Sequence, residues 1–185
     1  VTNGSDELYN RARAGRFTGC DAVVITFDWM LGMLRGGSII EIGMGPYSSK
    51  LISELAERRR ATAYHCDTAP ARWMEDLTGA SRVYTGRSDD FFSYLEEQSV
   101  SSVAVCLIDG CHSHEQVRKD FWNVDCILKP HGLIVMHDTC PQFESKLGSA
   151  ACGDAYIFRQ ELEANHRDSY GTITFPSGGY PDAGG

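Results

Sequence analysis

Two short runs of this sequence carry groups that can do chemistry together: Asp109-Gly-Cys-His112 and, further on, His137-Asp138-Thr139. Each directly follows a continuous apolar stretch, Ser102–Ile108 and Leu133–Met136, that reads as a buried strand. Two carboxylates beside two imidazoles make either an oxygen-rich metal site or an acid/base site. A hydroxyl is too weak an acid to act as a nucleophile near neutral pH. A divalent ion lowers its pKa, and a histidine within reach can take the proton. Plainer readings stand beside these: Asp109 as a helix cap, His112 as a hydrogen-bonded turn residue, His137 as packing under a loop. Cys111, His112, His114, His137 and Cys140 also invite zinc, but no pair has the Cys-x-x-Cys spacing of a structural site.

A second chemical feature lies earlier. Ser38–Ile42 is a short β-branched run ending in Gly43-Met-Gly45, and Lys50–Arg59 follows with helical spacing. Strand, glycine turn and helix is the geometry in which backbone approaches a ligand closely. A simple strand–helix turn accounts for the same pattern. Glu41, near the strand's end, is placed to meet a cationic ligand group. Pro46 has no N–H for a pyrophosphate, and Ser48 stands where a dinucleotide fingerprint has its third glycine. A nicotinamide or flavin dinucleotide is therefore disfavoured. S-adenosylmethionine, which has no phosphate and carries an amino group and a sulfonium, suits an acidic glycine-turned pocket better.

These residues need a frame. Thr62–Cys66 is a second strand ending in Asp67, whose carboxylate can accept both hydroxyls of a ribose or merely hold a turn before Pro70. Ala71–Leu77 reads as a helix and Ser81–Thr85 as a third strand. Gly86-Arg87-Ser88 follows at that strand's tip, then a helix over Asp89–Gln98. Ser102–Ile108 is central, His114–Leu128 is a helix, Pro130-His131-Gly132 a turn and Leu133–Met136 the fifth strand. Tyr156–Asn165 is a last helix, and Thr172–Phe175 a short last strand. Such alternation predicts an α/β fold: a doubly wound, mostly parallel Rossmann-like sheet with helices on both faces. Ligands bind beyond the carboxyl ends of such strands, where Glu41, Asp67, Ser88, Asp109, His112, His137 and Asp138 fall. The first, fourth and fifth strands are expected side by side, so that Asp109 and Asp138 converge.

At 185 residues the chain is sized for one domain with a full core. Residues 5–15 read as a surface arm and Thr18–Arg35 as a helix, so 1–35 is expected as a helical lid, 36–176 as the ligand-binding domain and 177–185 as a loose tail. A net charge of −8 argues against a general nucleic-acid surface. No run approaches the roughly 18 apolar residues that span a bilayer. The first residues lack a signal-peptide pattern, and seven cysteines, an odd number, fit free thiols in a reducing, cytoplasmic setting.

With these residues in view, the stretch 36–176 resembles the class I S-adenosylmethionine-dependent methyltransferases, nearest the small-molecule and sugar O-methyltransferases and cephalosporin-hydroxylase-like proteins. The likeness is carried by Glu41-Ile-Gly-Met-Gly45, by Ile108-Asp-Gly-Cys-His-Ser-His-Glu115 with Asp120, by Leu128-Lys-Pro-His-Gly132 and by Val135-Met-His-Asp-Thr139. The resemblance implies methyl transfer from S-adenosylmethionine to a hydroxyl of a small-molecule acceptor. It places the cofactor at Glu41, Gly43, Gly45, Ser48, Asp67, Gly86, Ser88 and Asp109. It implies a divalent ion, magnesium or another, on Asp109, His137 and Asp138, with His112 as base; catalysis would rest on His112 and Asp109. His137 departs from the acidic pair of metal-dependent relatives, and Arg87 stands where an acidic residue often meets the adenine. The resemblance leaves a homo-oligomer open. A nicotinamide-dependent oxidoreductase and a non-catalytic cofactor- or partner-binding protein are the competing readings.

Overall fold

The computed structural model describes residues 36–45, 48–72, 74–141, 147 and 152–174. The expected arm at 5–15, the helix over Thr18–Arg35 and the tail from Pro176 lie outside these residues, as do Pro46 and Phe175.

Five parallel strands stand in the order β3-β2-β1-β4-β5. They are β1 (Ser38–Ile42), β2 (Ala63–Asp67), β3 (Ser81–Thr85), β4 (Val103–Ile108) and β5 (Leu128–Met136). Between and after them run α1 (Ser48–Arg59), α2 (Ser88–Glu97), α3 (His114–Asp125) and α4 (Ala155–Asn165). All six residues of β4 are buried, as its unbroken apolar run requires of a central strand. Strands β1, β4 and β5 are neighbours, which brings the ends of all three chemical runs to one edge of the sheet.

Both sheet faces are covered. Ile40, Ile42, Cys106 and Ile108 pack with Phe91 and Leu95 of α2, Phe121 and Val124 of α3 and Phe158 and Leu162 of α4. Ile39, Val105 and Leu107 face the other way, onto Ile52, Leu55 and Ala56 of α1. Local signals set the helix starts. Ser113 caps α3, its hydroxyl accepting the Gln116 N–H at 3.3 Å. Asp89 and Asp90 occupy the first turn of α2, where the helix dipole favours negative charge.

Three expectations are corrected. In place of a helix over Ala71–Leu77 there are two single 3₁₀ turns, Pro70–Arg72 and Met74–Asp76. Pro70 cannot donate, and so short a segment cannot nucleate an α-helix without packing support. The turn at Pro130-His131-Gly132 lies within β5 rather than before it. Pairing jumps from Val103 with Leu128 to Val105 with Leu133, so the intervening residues bulge, with His131 at φ 64°. Residues Thr172 to Thr174 join no strand among the described residues.

Candidate active site

The glycine turn after β1 is closed on itself. Gly43 has φ 87°, a conformation that L side chains rarely adopt. A Cβ there would overlap the Asp109 carbonyl group and come within 2.6 Å of Gly110 Cα. Glycine thus lets the turn after β1 pass directly against the loop after β4. The N–H groups of the turn all have partners within the protein: Gly43 donates to the Cys66 carbonyl at 2.8 Å, Met44 to Asp67 Oδ2 at 2.9 Å, and Gly45 to Ser49 Oγ at 3.1 Å. Among the described residues no bare nest of N–H groups remains there for a phosphate.

Beside this turn lies a cavity of about 520 Å³ at the carboxyl ends of β1, β2, β3 and β4. Of the residues expected to hold the cofactor, Gly43, Asp67, Gly86, Ser88 and Asp109 line it. Gly45 and Ser48 do not; they serve the turn and the start of α1. Asp67 combines both readings of its sequence position. One carboxylate oxygen holds Met44 N, the other accepts Ala69 N at 2.6 Å, and the residue still lines the cavity.

Glu41 is not where a ligand's cation would meet it. It is fully buried on the face covered by α1, its Oε2 2.6 Å from His65 Nδ1. His65 Nε2 lies 3.0 Å from Ser81 Oγ, which donates to Ser53 Oγ of α1 at 2.8 Å. This polar chain ties β1, β2, β3 and α1 together beneath the turn. Burying such groups is costly unless they are paired; Glu41 Oε2, His65 and Ser81 are, whereas Glu41 Oε1 is buried with no hydrogen-bond partner among the described residues.

Beyond the cavity's Asp109 wall the second cluster assembles. His137 Nδ1 is 3.0 Å from Asp109 Oδ1 and 3.3 Å from Asp138 Oδ1. His112 Nε2 lies 3.3 Å from Asp109 Oδ1, and its Nδ1 3.4 Å from Asp138 Oδ2. Burial alone would raise the Asp109 carboxyl, but hydrogen bonds from His112 and His137 outweigh it and hold it below the usual carboxylate range. The same opposition, burial against the two imidazoles, holds Asp138 low. Both carboxylates are therefore kept ionised. Asp138 takes a left-handed backbone, φ 54°, rare for a residue with a Cβ and typical of strained functional positions.

The cluster fits a divalent ion. Asp109, His137 and Asp138 can each offer a ligand atom, all within 4.8 Å of one another. Asp138 Oδ1 is buried and has no well-aligned hydrogen bond, as expected of an oxygen kept for a cation. A nitrogen ligand beside two carboxylates suits manganese, iron or zinc better than magnesium.

Several participants were not foreseen. Gly153 and Asp154, just before α4, clamp the His112 loop: Asp154 N donates to the His112 carbonyl at 3.1 Å, and His114 N to Asp154 Oδ1 at 2.5 Å. Gly153 has φ 55°, and a Cβ there would overlap the His112 carbonyl oxygen. The only sequence signal was a glycine and an aspartate ahead of a helix. Gln116, in the first turn of α3, also lines the cavity; its spacing from Asp109, a loop and one helical turn, was the available clue. Cys66 and Cys106 are buried free thiols, whereas Cys111 is exposed at the cavity's rim.

Among solved structures the chain is similar to the O-methyltransferase TomG from Streptomyces achromogenes, involved in tomaymycin synthesis and solved in complex with SAM. The two share 15% identity and a TM-score of 0.59 over 89% of this chain and 80% of that one. A structure described as cmcI-D160 Mg-SAM matches at 17% identity and a TM-score of 0.49, over 78% of this chain and 60% of that one. No curated protein sequence matches. The first likeness carries the fold, a parallel Rossmann-like sheet. A family model described as "Methyltransferase domain" matches residues 40–139, from the first strand through the His137-Asp138-Thr139 run. With that match spanning more than half of the sequence, the chain belongs to the methyltransferase-domain family.

Proposed function

We propose that this protein transfers the methyl group of S-adenosylmethionine to a hydroxyl of a small-molecule acceptor. The observation that carries the reading is the continuous wall formed by Asp109. It lines the cavity after the glycine turn and also belongs to the cluster with His112, His137 and Asp138. One residue thus joins a cofactor cavity to a place where a hydroxyl can be deprotonated. The closed N–H groups of the glycine turn count against a nicotinamide dinucleotide, whose pyrophosphate needs them free.

S-adenosylmethionine supplies an electrophilic methyl carbon on a sulfonium. Asp67 takes the ribose diol, having lone pairs to spare after its two backbone bonds. Asp109, His137 and Asp138 would hold a divalent ion that makes an acceptor hydroxyl more acidic. His112 takes the hydroxyl proton as the acceptor oxygen bonds the methyl carbon. The sulfur keeps the electron pair of the broken S–C bond and leaves as a neutral thioether. Asp109 and Asp138, held ionised, stabilise the imidazolium that results.

Calorimetry with S-adenosylhomocysteine, NAD and FAD tests the reading. Only the first is expected to bind, and to raise the melting temperature by mass action. Binding of a dinucleotide with none of S-adenosylhomocysteine would overturn it. Within the site, Asp67→Ala is expected to weaken S-adenosylhomocysteine binding by about 1–3 kcal/mol, as for loss of a charged hydrogen-bond partner. Unchanged affinity would leave Asp67 only its role in bracing Met44.

A further inference from the structure

We infer that Arg159 of α4 is a positioning residue for the acid cluster: by holding the Thr139 carbonyl it fixes Asp138 in the conformation that offers a carboxylate oxygen to a divalent ion. The inference rests on the metal-assisted reading above and adds to it a residue from outside the strand tips.

The turn that carries Asp138 is held from several sides. Asp138 has φ 54°, a backbone that a residue with a Cβ keeps only when its surroundings impose it. Just before it, His137 N donates to the Ile108 carbonyl at 2.9 Å and ties the turn to the end of β4. Within the turn, the Thr139 hydroxyl donates to the Met136 carbonyl at 3.3 Å, a long bond. Just after it, the anchor comes from a different element: Arg159 Nε donates to the Thr139 carbonyl at 2.8 Å. Thr139 is 7% exposed, so its carbonyl has little water to turn to if that donor is lost. A charged donor also makes the stronger kind of hydrogen bond.

The guanidinium is itself oriented. Its Nη1 donates to Glu163 Oε2 at 2.7 Å, one helical turn further along α4. A planar fork serves two acceptors in fixed directions, which a lysine ammonium on a flexible stem does not. The start of the same helix grips the other half of the cluster, where Asp154 binds the His112 carbonyl and His114 N. Asp154 and Arg159 are separated by about 7.5 Å along a helix axis. One element therefore holds both the loop with Asp109 and His112 and the loop with His137 and Asp138. Phe158 and Leu162, buried in the core, seat that element on the sheet. The distances of 3.0 to 3.4 Å between the imidazoles and carboxylates thus depend on where Arg159 sets Thr139. Neither Arg159 nor Thr139 lines the cavity.

The test is calorimetric titration with Mn²⁺ and, separately, with S-adenosylhomocysteine, for the wild type, Arg159→Met and Leu162→Ala. Methionine keeps the apolar stem of the arginine and loses both hydrogen bonds. Arg159→Met is expected to bind Mn²⁺ about tenfold or more weakly, the usual loss when a residue that orients a metal ligand is removed. Its S-adenosylhomocysteine affinity should stay within about twofold of the wild type, as expected of a residue outside the cavity. Leu162→Ala opens a hole in the core beneath the same helix; it is expected to lower the urea midpoint and keep wild-type Mn²⁺ affinity. Equal Mn²⁺ affinity in Arg159→Met and the wild type would overturn the inference. So would a Leu162→Ala chain that loses Mn²⁺ affinity as far as Arg159→Met does, because any loosening of α4 would then suffice. If Arg159→Met does not fold, Arg159→Lys carries the test. It keeps the charge but not the fork, and is expected to weaken Mn²⁺ binding about threefold or more; wild-type affinity in that chain overturns the inference. A wild type that binds S-adenosylhomocysteine but no Mn²⁺ refutes the ion and the role of Arg159 with it, a result distinct from Mn²⁺ bound alike by wild type and variants.

Discussion

Replacing His112 by alanine is expected to slow methyl transfer about 10²–10⁴-fold, the usual loss when a general base is removed. S-adenosylhomocysteine affinity should stay within about twofold, because His112 is not among the residues that line the cavity. The separation follows from geometry. His112 lies across Asp109 from the cavity, 3.3 Å from one aspartate and 3.4 Å from the other. Both carboxylates lie against the imidazole and offset the charge it gains on taking a proton. Single-turnover measurement of the variant against the wild type reads the effect directly. Excess chelator provides the companion arm: turnover is expected to vanish while S-adenosylhomocysteine still binds. Full activity of the His112→Ala chain would remove the base from the mechanism, and full activity in chelator would remove the ion.

A second large effect is expected from one methyl group. Gly43→Ala should destabilise the fold by about 2–4 kcal/mol, combining a left-handed φ with overpacking against backbone that has nowhere to go. The clash is with the Asp109 carbonyl and Gly110 Cα, the main chain of the adjacent loop rather than a side chain that could swing aside. Any relaxation must therefore move Asp109, which the cavity and the acid cluster share. Cofactor affinity and turnover should fall together with stability. Gly79→Ala is the control, since a Cβ there meets nothing within 4 Å and the backbone is not left-handed. Urea unfolding midpoints compare the two. If Gly43→Ala and Gly79→Ala unfold at the same denaturant concentration, the close approach of the two loops is not what requires glycine.

Most of the frame was legible because it is local. Strand β1 is bounded by its own β-branched run and the glycines after it, and β4 by six consecutive apolar residues. The alternation of strands and helices implied a parallel sheet, and the sheet's order put β1, β4 and β5 together as expected. Weak local signals misled where tertiary context decided. Residues 71–77 have helical composition but follow Pro70 and form only two single turns, too short to hold an α-helix without packing support. The bulged residues of β5 carry turn chemistry, yet the ladder to β4 resumes beyond them.

What this sequence determined by itself was the set of reactive groups and the end of the sheet at which they lie, because strand tips follow from periodicity along the chain. Which way each group faces was decided only by the tertiary structure. In β1 the alternation of Ile39, Glu41 and Ile40, Ile42 is plain, but both faces of this sheet are covered, so the pattern holds no cue to which face meets a ligand. Glu41 therefore looked like a cofactor contact and proved to be bound to His65 beneath the turn. Likewise the sequence marked a glycine turn where backbone can approach a ligand, and only the approach of Asp67, Cys66 and Ser49 showed that the N–H groups of Gly43, Met44 and Gly45 are already bonded. Hydrogen-bond partners far apart in sequence are set by packing, and no spacing along the chain encodes them.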